Sequence, residues 1–180
     1  MKKNKIVVAG SGASGVNLGV KILQLLPKSV EKHFIITDNA KMVLSQEMHD
    51  VTTHNNKNIA ASVASGSFGV DAMIIAPCSM NTLAKIACGI SDNLITRCAA
   101  VIIKEQKKLI LAPREMPFSA IALENMHKLA SLGIIIAPPV MAYYSEQQTL
   151  DDMENFVIGK WFDLLGIENN LYRRWQIEES

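Results

Sequence analysis

Five short apolar runs recur along the chain, and each is followed by a stretch with a different period. The runs are Ile6-Val7-Val8-Ala9, Phe34-Ile35-Ile36-Thr37, Ala72-Met73-Ile74-Ile75-Ala76-Pro77, Lys108-Leu109-Ile110-Leu111-Ala112-Pro113 and Gly133-Ile134-Ile135-Ile136-Ala137. Unbroken branched apolar runs of this length read as strands buried on both faces, the habit of parallel sheets. Between them, residues 16–26 carry Val16, Leu18, Val20, Ile22, Leu23 and Leu26 at helical spacing, and Pro27 closes the stretch. Helices are also expected over 39–47, over 79–88 with Ser79 as N-cap, from a Ser91-Asp92-Asn93 cap towards Lys104, over 119–132 and over 150–165. Residues 48–62 are polar and without period, and read as a loop. Strands that alternate with helices from end to end predict a three-layer, doubly wound α/β fold: a mostly parallel sheet with helices on both faces. A chain of 180 residues, 49% hydrophobic and without linker or repeat, is expected to be a single domain over 1–180.

Charge narrows the partners. A formal net charge of +1 argues against nucleic acid as a partner. Charged residues make up 19%, slightly low for a monomer surface, a mild sign of self-association. Cys78, Cys88 and Cys98 form no CxxC pair, and His33, His49, His54 and His127 complete no zinc pattern. They read as free, buried thiols of a reducing compartment, and no metal site is expected. The apolar run after Met1-Lys2-Lys3-Asn4-Lys5 stops at Gly10, too short for a signal peptide, and no stretch has the length of a membrane span. Cytoplasmic residence is the expectation.

In doubly wound sheets ligands lie at the carboxyl ends of the strands. The first such end is Gly10-Ser11-Gly12-Ala13-Ser14-Gly15, a G-x-G-x-x-G turn between a strand and a helix. Its glycines allow backbone N–H groups close to a phosphate, and the helix N-terminus favours the anion. Asp38, after the second strand, is roughly where a dinucleotide site places its acidic residue. Thr37 just before it suits a phosphate or a flavin edge instead. This turn alone does not choose between NAD and FMN.

Three further loops are more specific. Ala64-Ser65-Gly66-Ser67-Phe68 is small and polar and ends in an aromatic. Pro77-Cys78-Ser79-Met80-Asn81-Thr82 opens a helix with two hydroxyls. Pro113-Arg114-Glu115-Met116-Pro117 sets a cation and a carboxylate between two prolines. With Ile59-Ala60-Ala61, Asp92-Asn93-Leu94-Ile95-Thr96-Arg97, Ile103-Lys104-Glu105, Pro138-Pro139 and Ala142-Tyr143-Tyr144, these motifs follow one another in an order that resembles the UbiX-type flavin prenyltransferases, Rossmann-like flavoproteins of the homo-oligomeric flavin-containing decarboxylase superfamily. The resemblance runs from about Lys5 to about Gly166.

It implies an enzyme that transfers a dimethylallyl group from dimethylallyl phosphate to N5 and C6 of reduced FMN. The prenylated FMN would serve a UbiD-type decarboxylase. It also implies no metal, no membrane, and a homo-oligomer, usually a dodecamer, with sites at subunit interfaces. Carried over by position, Gly12, Ala13, Ser14, Thr37, Ser79, Met80, Asn81, Thr82 and Arg114 would bind the flavin. Arg97, Lys104, Tyr144 and Lys160 would hold the substrate phosphate. Ser14, Glu47, Glu115 and Trp175 would take part in catalysis, Trp175 from a tail, 167–180, that packs on a neighbouring subunit or over the active site. The residues alone say less: Arg97, Lys104 and Lys160 read as surface cations, and Trp175 as an interface residue or a lid.

Some positions depart from the family. Asn81 replaces a lysine, Met116 a threonine, Ala100 an aspartate, and Glu146-Gln147 an Arg-Pro pair. The alternatives are therefore an FMN-dependent decarboxylase of the same fold, or a non-catalytic FMN-binding subunit of a decarboxylase complex.

Overall fold

The computed structural model describes residues 3–11, 16–36 and 49–175. The chain divides into two compact units, Met1–Pro138 and Pro139–Ser180. The first holds a six-stranded sheet of β1 (Lys5–Ser11), β2 (Glu31–Ile36), β3 (Val51–Asn55), β4 (Ala72–Cys78), β5 (Lys108–Pro113) and β6 (Ile135–Ile136). The strand order is β3-β2-β1-β4-β5-β6, and every pairing is parallel. The expected doubly wound sheet is therefore present.

The strands differ from the sequence reading where charge hides them. Residues 51–55 lie in the stretch read as loop, yet they form the edge strand β3. Thr52 and Thr53 face solvent on this edge, so the run shows no apolar period. Strand β2 starts at Glu31, three residues before the apolar run. Lys32 and His33 are buried in it, because the Lys32 ammonium donates to Asp50 (2.8 Å) and His33 bridges Glu31 Oε1 (3.0 Å) and His54 Nε2 (3.1 Å). Strand β6 is cut to two residues. The amide of Ala137 still donates to the Leu111 carbonyl (2.8 Å), but Pro138 and Pro139 have no N–H with which to continue.

Helices α1 (Val16–Leu25), α2 (Met80–Ala87), α3 (Leu94–Lys104) and α4 (Ala120–Ser131) cover the sheet. The starts of α2, α3 and α4 carry side-chain caps. The Ser79 hydroxyl accepts from the Thr82 amide, Ser119 accepts from Ala122, and Asn93 and Thr96 form a reciprocal capping box. The helix expected over 39–47 lies outside the described residues. One face of the sheet, with Val7, Ala9, Ile35, Met73, Ile75, Leu109 and Leu111, packs on Leu83 and Ile86 of α2, Ile95 and Ile102 of α3, and Leu129 of α4. Each Val, Leu, Ile or Met side chain among them contributes about 1.5–3 kcal/mol when fully buried. Helix α1 lies on the other face, close enough that a Cβ on Gly19 would come within 3.2 Å of the Ala76 carbonyl oxygen. Cys78 and Cys98 are buried in this unit and burial pushes both thiols up to about 12. Cys88 is instead exposed, at the C-cap of α2.

The centre of the sheet has one irregularity. Strands β1 and β4 pair in register from Ile6–Ala72 to Ala9–Ile75, then resume at Ser11–Cys78. Strand β4 also gains a residue against β5, where pairing resumes at Cys78–Pro113. The extra residue falls at Ala76-Pro77, where proline lacks the ladder donor. Beyond this bulge the buried Ser11 hydroxyl accepts the Ser79 amide hydrogen (3.0 Å).

The second unit contains α5 (Leu150–Leu165), which opens with a capping box between Thr149 and Asp152. Residues 169–174 fold back onto it and converge on Asp163. Its carboxylate accepts from the Tyr172 hydroxyl (2.6 Å), from Asn169 Nδ2 (2.9 Å) and from both terminal nitrogens of Arg174 (2.9 and 2.7 Å). Among the described residues no helix is long and apolar enough to cross a membrane.

Two predictions follow from these contacts. Replacing Ser11 by Ala removes the acceptor of the Ser79 amide and should cost roughly 1–2 kcal/mol. An unchanged urea midpoint would show that this bond does not hold the sheet centre. The Arg174 guanidinium, first, and the Tyr172 and Asn169 donors hold the Asp163 carboxyl at about 2, below its ordinary 3.8. A carboxylate lowered on folding stabilises the protein above its ordinary pKa, and this is lost as pH falls through the folded one. Between about pH 4 and pH 2 the wild type should lose more thermal stability than Asp163→Asn, as read from Tm against pH.

Candidate functional site

The strand order reverses between β1 and β4, and the crevice at their carboxyl ends is the natural ligand position of an open α/β sheet. The Ser11–Ser79 bond fixes the start of α2 at this point. The Ser79 hydroxyl accepts from the Thr82 amide (3.2 Å) and donates to the Thr82 hydroxyl (3.1 Å). This leaves the Thr82 proton to be aimed elsewhere, and the amides of Met80 and Asn81 without an intrahelical partner. The positive end of the helix dipole adds to the pull on an anion.

Beside this turn is a half-open hollow of about 460 Å³. Met80, Asn81 and Ala84 line one wall, and Glu115, Pro117, Ser119, Ile121, Ala122 and Asn125 the other. Three residues singled out from the sequence, Met80, Asn81 and Glu115, therefore meet on one cavity. Glu115 is exposed, with its carboxylate accepting the Met116 amide (3.3 Å). Arg114 is exposed at the end of β5. Asn125 and Ser119 were missed by the sequence reading. Asn125 had one available signal: it falls one turn after Ile121 and Ala122, and so belongs to their face of α4.

Arg97 and Lys104 are exposed and seven residues apart on α3. That spacing places them on one face, about 10 Å apart along the axis. The other polar residues of the Asp92–Arg97 motif are engaged in structure. Asn93 and Thr96 cap the helix, the Asn56 side chain accepts the Ile95 amide (2.9 Å), and Asp92 pairs with Lys85 (2.5 Å), which holds its carboxyl below the usual range. The helix runs from the carboxyl edge of the sheet, where Leu94 donates to the Asn56 carbonyl, to the amino edge, where β5 begins at Lys108. Lys104 is thus at the amino edge, paired with Glu105, whose carboxyl it holds low. Glu105 in turn abuts Gly66, which brings the Ile103-Lys104-Glu105 and Ala64–Phe68 motifs together, away from the α2 turn.

The second unit gathers three more predicted residues. The Tyr144 ring meets Phe156 (5.9 Å) and Trp175 (5.5 Å) edge-on, and Phe156 meets Tyr172 (5.0 Å). Lys160 holds its ammonium 5.9 Å from the Tyr172 ring. Tyr144, Lys160 and Trp175 therefore border one aromatic cluster, with Trp175 still largely exposed. Tyr143 points away and is 87% exposed. Asp163, at the base of this cluster, was not foreseen; an acidic residue one turn after Lys160 carries no motif. Gly12, Ala13, Ser14, Thr37 and Glu47 lie outside the described residues, as does Asp38. Among the described residues no group of three His, Cys, Asp or Glu side chains is placed to hold a metal ion.

The Flavoprotein family model matches residues 1–161. The chain is 48% identical to the flavin prenyltransferase UbiX of Campylobacter jejuni over 96% of its own length and 98% of that protein. Its structure is similar to that of a dodecameric FMN-dependent UbiX-like decarboxylase from Escherichia coli O157:H7 (TM-score 0.87, 41% identity, covering 96% and 99% of the two chains). It is also similar to AnUbiX (PadA1) in complex with FMN and dimethylallyl pyrophosphate (TM-score 0.89, 37% identity, covering 99% and 100%). With a crevice at the strand reversal, an opened helix N-terminus beside a carboxylate-lined hollow, and full-length identity at this level, the chain belongs to the UbiX-type flavin prenyltransferases of the Flavoprotein family.

Proposed function

We propose that the chain is a flavin prenyltransferase that moves a dimethylallyl group from dimethylallyl phosphate to reduced FMN. The observation that carries this reading is the hollow shared by the N-terminus of α2 and Glu115, beyond the carboxyl ends of β4 and β5. Its donor set suits a flavin. The Met80 and Asn81 amides and the Asn125 side-chain amide offer donors to the polar edge of a planar ring, with Thr82 buried at the same turn, while Ile121, Ala122 and Pro117 supply an apolar wall. Arg114 and the turn containing Gly12, Ala13, Ser14 and Thr37 are assigned to the rest of the cofactor. The bound reduced flavin supplies the nucleophilic N5 and C6 atoms.

The chain's own groups manage the leaving group and the protons. Breaking the allylic C–O bond sends the electron pair out with phosphate, and Arg97, Lys104, Tyr144 and Lys160 are assigned to that charge. Trp175 faces the allyl cation with its ring. Glu115 gives a proton to the departing phosphate, and Glu47 and Ser14 take up those released on bond formation. Because Glu115 is exposed in the single chain, the dry surroundings that an acid needs come from what covers the hollow. A second copy fits that cover. Met116 (91% exposed) and Ile121 (73%) stand bare beside the hollow, larger apolar side chains than a monomer surface needs. A dodecamer, like that of the Escherichia coli relative, is the assembly proposed, with residues from several copies meeting on one donor. The product would go to a UbiD-type decarboxylase, and three unpaired cysteines suit the cytoplasm.

The deciding experiment is anaerobic incubation with reduced FMN and dimethylallyl phosphate, followed by mass spectrometry of the flavin. A flavin heavier by one dimethylallyl group is expected; bound FMN of unchanged mass would overturn the reading. The variant Glu115→Gln should transfer about 10²–10⁴-fold more slowly while still binding FMN. Full transfer activity in this variant removes Glu115 from proton transfer.

A further inference from the structure

We propose that Asp163 is a positioning residue for prenyl transfer: it locks the returning tail so that Trp175 and Lys160 are set against Tyr144 to receive the donor. The inference rests on the reading of Tyr144, Lys160 and Trp175 as donor-binding groups, and adds the residue on which their arrangement depends.

Asp163 is the common acceptor of the tail. Four hydrogen bonds from three tail residues, Asn169, Tyr172 and Arg174, end on its two oxygens. The Arg174 contact is a two-pronged one, which fixes orientation as well as distance. Arg174 also donates to the Asn169 carbonyl (3.2 Å) and the Tyr172 hydroxyl (3.2 Å), so the three tail residues brace one another around the carboxylate. Trp175 is the next residue along the chain, and its ring meets Tyr144 edge-on.

The same anchor sets Lys160. Tyr172, held at its hydroxyl by Asp163, presents its ring to the Lys160 ammonium and to Phe156, and Phe156 in turn meets Tyr144. The close approach is built into the helix. A Cβ on Gly159 would fall 2.5 Å from Tyr172 Cδ1 and 2.9 Å from Asn169 Oδ1, so only glycine lets the tail lie this low on α5. Asn169 uses that room to donate to the Gly159 carbonyl (3.2 Å) as well.

Electrostatics agrees with a fixed pairing. Asp163 is held at about 2 mainly by Arg174, and burial, with the carboxylate next, pushes the Tyr172 phenol up to about 12. The pair Asp163⁻ and Tyr172–OH is therefore constant across the neutral range, and the anchor does not titrate where the enzyme works. Asp163 itself has its lone pairs taken by the tail, so its influence on the donor passes through the residues it holds.

The test is steady-state kinetics with dimethylallyl phosphate as the varied substrate, on the assembled protein, for Asp163→Asn, Asp163→Glu, Tyr172→Phe and Lys160→Ala. Asp163→Asn should raise the KM for the donor roughly ten- to a hundredfold and leave the Kd for FMN unchanged, with Asp163→Glu partly restoring it. Tyr172→Phe, which removes one hydroxyl and keeps the ring, should raise it roughly threefold. A purely structural role for Asp163 would lower Tm or the active fraction at unaltered KM. An increase with Lys160→Ala but none with Asp163→Asn or Tyr172→Phe overturns the positioning role alone. An unchanged donor KM in Lys160→Ala overturns the donor reading of the cluster, and the positioning role with it.

Discussion

Proline has no amide hydrogen, and Pro77 stands next to last in the central strand β4. The ladder on both sides of β4 must skip a residue there, and the chain uses the skip to turn the Ser79 amide towards β1, where the Ser11 hydroxyl accepts it. The contact lies where the strand order reverses and the carboxyl ends of β1 and β4 diverge. A crevice opens there in any doubly wound sheet. Here its floor is tied by one side-chain hydrogen bond, and the first turn of α2 is delivered to it with capping already satisfied by Ser79 and Thr82. The hollow bordered by Glu115 and Asn125 depends on that delivery.

The polar residues of the family motifs divide between holding the scaffold and facing solvent. Asp92, Asn93 and Thr96 are engaged by capping and by Lys85, whereas Arg97 of the same run is exposed on the helix. Lys104 is displaced along the same helix to the far edge of the sheet. In the second unit Tyr144, Lys160 and Trp175 are organised by aromatic edges and by a carboxylate. In the first unit, Met116 and Ile121 stand bare beside the hollow.

Much of the fold was legible because its signals are local. Apolar runs such as Ala72–Ala76 are buried on both faces, and Ser79, Asn93 and Ser119 start helices by bonding amides three residues away. The failures have a common cause: at least one partner outside the element itself. Strand β3 carries exposed threonines and is a strand only because β2 lies beside it. The start of β2 was hidden by Lys32 and His33, which Asp50, Glu31 and His54 make tolerable inside. Asp163 gave no signal, since its four donors come from residues six to eleven positions later, beyond a helix end.

The sequence by itself determined the order of the described helices and of five of the six strands, the caps at Ser79 and Asn93, and the motif residues by which the chain resembles its family. Each of these is written in spacing or in a motif. Only the tertiary structure decided which of those residues meet. It joined Ser11 to Ser79, placed Glu115 opposite Met80 and Asn81, moved Lys104 away from the α2 turn, and seated Tyr172 over Gly159 and onto Asp163. The physical reason is the bulge at Pro77 and the fold-back onto α5. Both turn backbone direction over a few residues, and a local period holds no record of where the chain then points.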